Sequence, residues 1–155
     1  MISKIIHFLA VCAAGLITGG QYVVSFDYRA SGMSAQFYTE KMQYAIHHIG
    51  TPLFAMLITA TVLCFAAAVA NRRDLRTSFL LAGAGACLLI GGLITAFGNI
   101  PLLDVIDTWN VSSPPADWQS IADRWYVFHT IRLAFDLVGL VLAVLSTFTA
   151  RNSFA

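Results

Sequence analysis

Four stretches of the chain are continuously apolar for about the 20 residues that a helix needs to cross the hydrocarbon core of a bilayer. They run over about 5–26, 46–70, 78–98 and 125–149, and polar positions are gathered almost entirely between them. Backbone N–H and C=O groups have no water to bond inside lipid, so segments of this kind are helical. The pattern predicts an all-α protein. It is an integral membrane four-helix bundle, one domain over residues 1–155, with a long outer loop between the third and fourth helices.

The links differ in kind. Residues 71–77 make a tight turn carrying Arg72, Arg73 and Arg76. Residues 27–45 read as a longer polar link. Residues 99–124 form the longest one, with Asp104, Asp107, Pro114-Pro115, Trp109 and Trp118. Loops this long in small proteins usually carry function or cover a site. Asn99, followed by Pro101, reads as the terminator of the third helix.

Composition sharpens the class. Hydrophobic residues make up 58% of the chain and charged residues 11%, against about 25% charged in an ordinary soluble domain. A net charge of +1 gives no footprint for nucleic acid, so the expected partners are membrane lipid and an apolar small molecule, with a homo-oligomer left open. Lys4 ahead of an apolar run also has the outline of a signal peptide, but the run is read as the first span. Cys12, Cys64 and Cys87 all fall within apolar segments and read as small packing residues.

Basic residues set an expected orientation. Lys4, Arg72, Arg73, Arg76 and Arg151 fall on one side, and Arg29, Lys41 and Arg124 on the other. Both termini are therefore expected in the cytoplasm, with the 99–124 loop outside. All three tryptophans and all five tyrosines lie in the outer half. An interfacial aromatic belt and an aromatic-lined pocket both account for this. Gly15 and Gly19 form a GxxxG pair, and the third helix carries Gly83, Gly85, Gly91, Gly92 and Gly98, all read as helix-packing contacts.

Ionisable residues inside spans are costly and point to function. Trp125, His129, Arg132 and Asp136 are spaced by four, three and four and share one helical face. Arg132 and Asp136, at i and i+4, are expected to pair. Glu40, Tyr44 and His47 share a face at the start of the second helix, with His48 one position round. Imidazole suits Zn, Cu and Fe, so His47 or His48 with His129 is the candidate metal or haem set. No cofactor, a haem and a transition metal all remain open.

Asn99-Ile-Pro101-Leu102, then Trp118, then Arg124-Trp125, His129 and Arg132 form a recognisable order. It resembles the small four-helix membrane family named for anthrone oxygenase. In that family the third helix ends in N-x-P-L, a tryptophan follows in the loop, and the fourth helix opens with W, then H or N, then R. Ala14-Gly15-Leu16 and Gly19-Gly20 look like its glycine-rich opening. The chain departs from the family in lacking a proline after the first helix and in carrying Leu103-Asp104 where asparagine is common. The resemblance implies an oxidoreductase acting on an apolar aromatic or quinone-like molecule at the outer end of the bundle. Some fungal members oxidise anthrones to anthraquinones. On that reading His129 is the base and Arg132 the oxyanion stabiliser. Asn99, Trp125, Trp118, Asp104 and Tyr44 bind the substrate. The alternative is a protein without enzymatic activity: a small transporter, a partner subunit or a module that binds a lipophilic ligand.

Overall fold

The computed structural model describes residues 2–149. They form helices α1 (Ile2–Asp27), α2 (Ala35–Ala45), α3 (Thr51–Ala70), α4 (Leu75–Ile94), α5 (Ile100–Asp107) and α6 (Trp118–Thr149). A π-helical turn, Ile46–Gly50, fuses α2 to α3, and a second, Thr95–Asn99, fuses α4 to α5. Four rods result: Ile2–Asp27, Ala35–Ala70, Leu75–Asp107 and Trp118–Thr149, each long and apolar enough to cross a membrane. They pack as an antiparallel ring in which α1 touches α3 and α6, and α4 touches α3 and α6.

The rods exceed what a membrane requires. Thirty-two residues of α6 reach about 48 Å at 1.5 Å per residue, against about 30 Å of hydrocarbon. The excess lies at one end, where α2, α5 and the first turns of α6 make a cap. The links read as polar loops are therefore mostly helix. Of residues 27–45 only 28–34 lie outside helices, and the long loop shrinks to residues 108–117. Ser34 starts α2 early, because its Oγ accepts the Phe37 N–H at 3.3 Å and caps the helix.

Asn99 does not end the third helix, and the reason is the π turn. Proline lacks an N–H, and its ring clashes with the carbonyl four residues back. In the π turn the Ile100 N–H bonds Thr95 O, five residues back. This wider register accommodates Pro101 without a break. Pro52 stands in the same relation to Ile46–Gly50.

Most buried residues fall into three layers. The bundle core is small and aliphatic, including Ala10, Ala14, Ile17, Ala60, Leu81, Ala84, Leu88 and Ala143. The cap core is aromatic, with Tyr28, Tyr38, Met42, Leu102, Ile106 and Trp125. Between them lies a polar layer of Thr18, Gln21, Thr95, Asn99, His129, Arg132 and Asp136, all buried. Outside, Phe79, Phe97 and Phe148 are at least 73% exposed. Apolar side chains outside and charged ones inside suit a lipid surround.

Glycines do the close work between α6 and the rod Leu75–Asp107. A Cβ on Gly91 would sit 2.6 Å from Asp136 Oδ1, and one on Gly98 would sit 2.7 Å from the Phe128 ring. The GxxxG pair of α1 is not such a contact. A Cβ on Gly15 would only reach Leu140 at 3.9 Å, and one on Gly19 would meet nothing within 4 Å.

Candidate functional site

The polar layer is organised around Arg132. Its Nε and Nη2 donate to His129 Nδ1 at 3.2 and 2.8 Å, and its Nη1 donates to Thr95 Oγ1 at 2.9 Å. Thr95 Oγ1 donates a hydrogen bond to Gly91 O at 2.9 Å, which leaves its lone pairs for the guanidinium. A guanidinium only donates, so His129 Nδ1 is the unprotonated nitrogen. The ring N–H is then on Nε2 and points at Gln21 O, 3.1 Å away on α1. His129 thus holds α1 to α6 and aims Arg132, with both nitrogens committed.

The expected Arg132–Asp136 pair is not made. Lys41 Nζ lies 2.7 Å from Asp27 Oδ1 and His47 Nε2 lies 3.0 Å from Asp107 Oδ1, but Arg132 and Asp136 make no such contact. Helical side chains lean toward the helix N-terminus, so Arg132 reaches back to His129 rather than forward to Asp136. A basic residue placed ahead of an acidic one is also the weaker i, i+4 order. Both Asp136 carboxylate oxygens are buried and have no hydrogen-bond partner among the described residues. They lie against Gly91.

A cavity of about 300 Å³ opens beside this layer. Its walls are mainly apolar, with Val24, Met42, Ile46, Ile49, Leu53, Phe54, Leu57, Ile100 and Leu103. Its polar wall residues are Gln21, Tyr28, Thr51, Thr95, Asp104 and Arg132, together with the indole of Trp125. Both π turns border it. Thr95 and Ile100 are one π turn apart and face the same way, and Ile100, Leu103 and Asp104 continue that face at i, i+3, i+4. Gln21 Oε1 and Trp125 Nε1 are buried without a partner. Buried polar atoms are nearly always paired, so these two are exceptions, and they belong to residues that line the cavity. Burial, with the Asp27 carboxylate and Tyr44 adding to it, pushes the Tyr28 phenol above its ordinary value, which keeps it a protonated donor.

Of the residues singled out from the sequence, Arg132, Trp125 and Asp104 line the cavity. Asn99 and His129 stand behind the wall. Asn99 Nδ2 donates to Trp125 O at 3.1 Å, and the Trp125 indole stacks on the His129 ring at 5.2 Å. Both therefore position Trp125 and Arg132. Trp118 packs against Tyr38 in the cap core at 5.4 Å. Tyr44 is exposed and stacked on His48 at 4.2 Å. The metal set is not assembled. His47 is exposed and bound to Asp107, His48 bonds Tyr44 O at 2.9 Å, and His129 is buried in the polar layer. No group of three or more His, Cys, Asp or Glu placed to hold a metal occurs among the described residues.

Sequence reading missed Gln21, Thr95 and Gln43. Gln21 was visible as the one amide inside the first span. Thr95 carries no signal, because threonine is ordinary in helices that bond their own carbonyls. Gln43 Nε2 reaches Ile106 O, Asp107 O and Trp109 O at 3.2, 3.2 and 2.9 Å, closing the end of α5 from a neighbouring helix. A helix end satisfied by another helix leaves no local pattern.

No curated protein and no solved structure matches the chain. The family model described as anthrone oxygenase matches residues 42–142, well over half of the chain. That stretch contains both π turns, Thr95, Asp104, Trp125, His129 and Arg132, and the chain belongs to the anthrone oxygenase family.

Proposed function

We propose that the protein is a membrane-embedded oxygenase for an enolisable aromatic ketone of the anthrone kind, which it converts to the corresponding quinone with dioxygen. One observation carries this reading. Arg132 is buried in the wall of an apolar cavity, and its hydrogen bonds go to the neutral acceptors His129 and Thr95. A guanidinium held in this way stabilises an oxyanion that forms beside it, and does so more strongly in a water-poor site than in water.

The chemistry needs little else from the chain. Loss of a C–H proton turns the ketone into an enolate, with its charge on the oxygen at Arg132. The enolate carbon is electron-rich enough to reduce dioxygen and bond to it. Loss of water from the resulting hydroperoxide leaves the second carbonyl. The sum is one CH₂ and one O₂ giving one C=O and one H₂O. Trp125 offers a flat face for the rings, and the aliphatic walls desolvate them. His129 positions the guanidinium and is not itself the base, because its lone pair is in use.

The cavity end faces outward on this reading, and both termini lie in the cytoplasm. Lys4, Arg72, Arg73 and Arg76 at the opposite end support that orientation. Arg151, counted with them, lies outside the described residues. Exposure of Gly50, Thr51 and Phe54 along the cavity supports entry of substrate from the bilayer.

Detergent-solubilised protein given dihydroxyanthrone under air should consume dioxygen and form dihydroxyanthraquinone. Arg132→Gln should lower kcat/KM by about 10²-fold or more, as loss of an oxyanion donor does elsewhere. Wild-type protein that binds dihydroxyanthraquinone but leaves dioxygen consumption at the protein-free rate would sink the oxygenase reading and favour a lipophilic-ligand binding module.

A further inference from the structure

We infer that Asp104 is the catalytic base of this cavity, taking the C–H proton at the end opposite Arg132. The inference rests on the oxygenase reading above and adds the residue that reading leaves unassigned.

The reaction needs a proton acceptor that can touch the substrate, and the histidine of the polar layer cannot serve. His129 Nδ1 accepts two donors of Arg132, and Nε2 faces Gln21 O. Asp136 is buried against Gly91 and does not line the cavity. His47 and His48 are exposed and also lie off its wall. Asp104 is the titratable carboxylate that does line it. It is exposed as well, so its carboxylate is not sealed inside the bundle as that of Asp136 is.

The π turn is what puts Asp104 there. Nine residues of uninterrupted α-helix would rotate it about 180° from Thr95, onto the far face of its rod. The extra residue of the Thr95–Asn99 turn is absorbed without added rotation and brings Asp104 round to the cavity face with Ile100 and Leu103. Thr95 marks the depth of the guanidinium. Asp104 stands roughly 13 Å further out along the helix axis. A flat ketone with its oxygen at Arg132 and its CH₂ directed outward runs along that line, with room for contact distance at each end.

The step balances. The Asp104 carboxylate accepts the proton, and the C–H electron pair moves into the ring system to give the enolate at Arg132. After dioxygen adds to the carbon, protonated Asp104 returns its proton to the peroxide. Asp104, again a carboxylate, takes the second C–H proton as the O–O bond breaks, and the departing hydroxide accepts that proton to leave as water, which restores the carboxylate.

Proton removal can be read without oxidation. Under anaerobic conditions in D₂O, wild-type protein in detergent should catalyse exchange of the CH₂ protons of dihydroxyanthrone, followed by NMR. Asp104→Asn should lose this exchange by about 10²–10⁴-fold, the usual worth of a general base, while its Kd for dihydroxyanthraquinone stays within about twofold. Asp104→Glu should recover part of the exchange. An Asp104→Asn protein that exchanges at the wild-type rate overturns the assignment. So does one that loses binding and exchange together, because Asp104 would then hold the ligand or the fold. Wild-type protein that binds the quinone yet neither exchanges protons nor consumes dioxygen gives a third pattern, which overturns the oxygenase reading and this inference with it.

Discussion

Arg132 Nη2 lies 2.8 Å from His129 Nδ1, so the nitrogen that a proton-abstracting histidine would use already accepts a hydrogen bond. The same contact fixes the guanidinium at the cavity wall. Two residues one helical turn apart, which read as a base and an oxyanion stabiliser, form one unit in which the first holds the second.

His129→Ala should therefore cost stability as well as activity. The ring is fully buried and links Gln21 O on α1 to Arg132 on α6. Its loss leaves a void and strands Arg132 donors, at a cost of at least about 2 kcal/mol. Denaturant unfolding in detergent checks this. A His129→Ala protein as stable as wild type would mean that the ring is a peripheral, replaceable group.

Gly91→Ala should destabilise the bundle by about 1–3 kcal/mol, because the new methyl would occupy the space of Asp136 Oδ1, which lies 2.6 Å from it. Adding Asp136→Ala vacates that space, so the double variant should regain most of the loss. Equal destabilisation in single and double variants would show that the two positions do not share this contact.

Gln43→Ala should loosen the cap and leave the spans intact. Its amide satisfies the carbonyls of Ile106, Asp107 and Trp109 at the end of α5. Hydrogen exchange should accelerate over residues 100–117 and stay unchanged in α3 and α4. Uniform acceleration along the chain would contradict a local role.

Orientation is open to direct measurement. In a background with Cys12, Cys64 and Cys87 replaced, Ser113→Cys should label with an impermeant thiol reagent in intact cells, and Arg73→Cys should not. Both positions are exposed, one beyond the cap and one in the α3–α4 turn. The reverse pattern would turn the cavity end toward the cytoplasm.

The number of long apolar helices and the buried face of the last of them were legible from hydropathy and spacing alone. Each of these is a one-dimensional consequence of lipid: about 20 apolar residues must be helical, and charges among them must face inward. Trp125, His129, Arg132 and Asp136 were legible because i, i+3 and i+4 spacing fixes a shared face before any packing occurs. Which neighbours those residues bond depended on packing between helices. Spacing alone allowed Arg132 to pair with Asp136. The lean of helical side chains and the Thr95 hydroxyl across the interface drew it to the cavity instead. The register of the third rod was also out of reach. Asn99-Ile100-Pro101 reads as a stop, since proline usually ends a helix, yet the i, i+5 turn ahead of it keeps the rod continuous to Asp107. That one inserted residue rotates α5 about its axis, so that a carboxylate otherwise on the far face of the rod becomes part of the cavity wall.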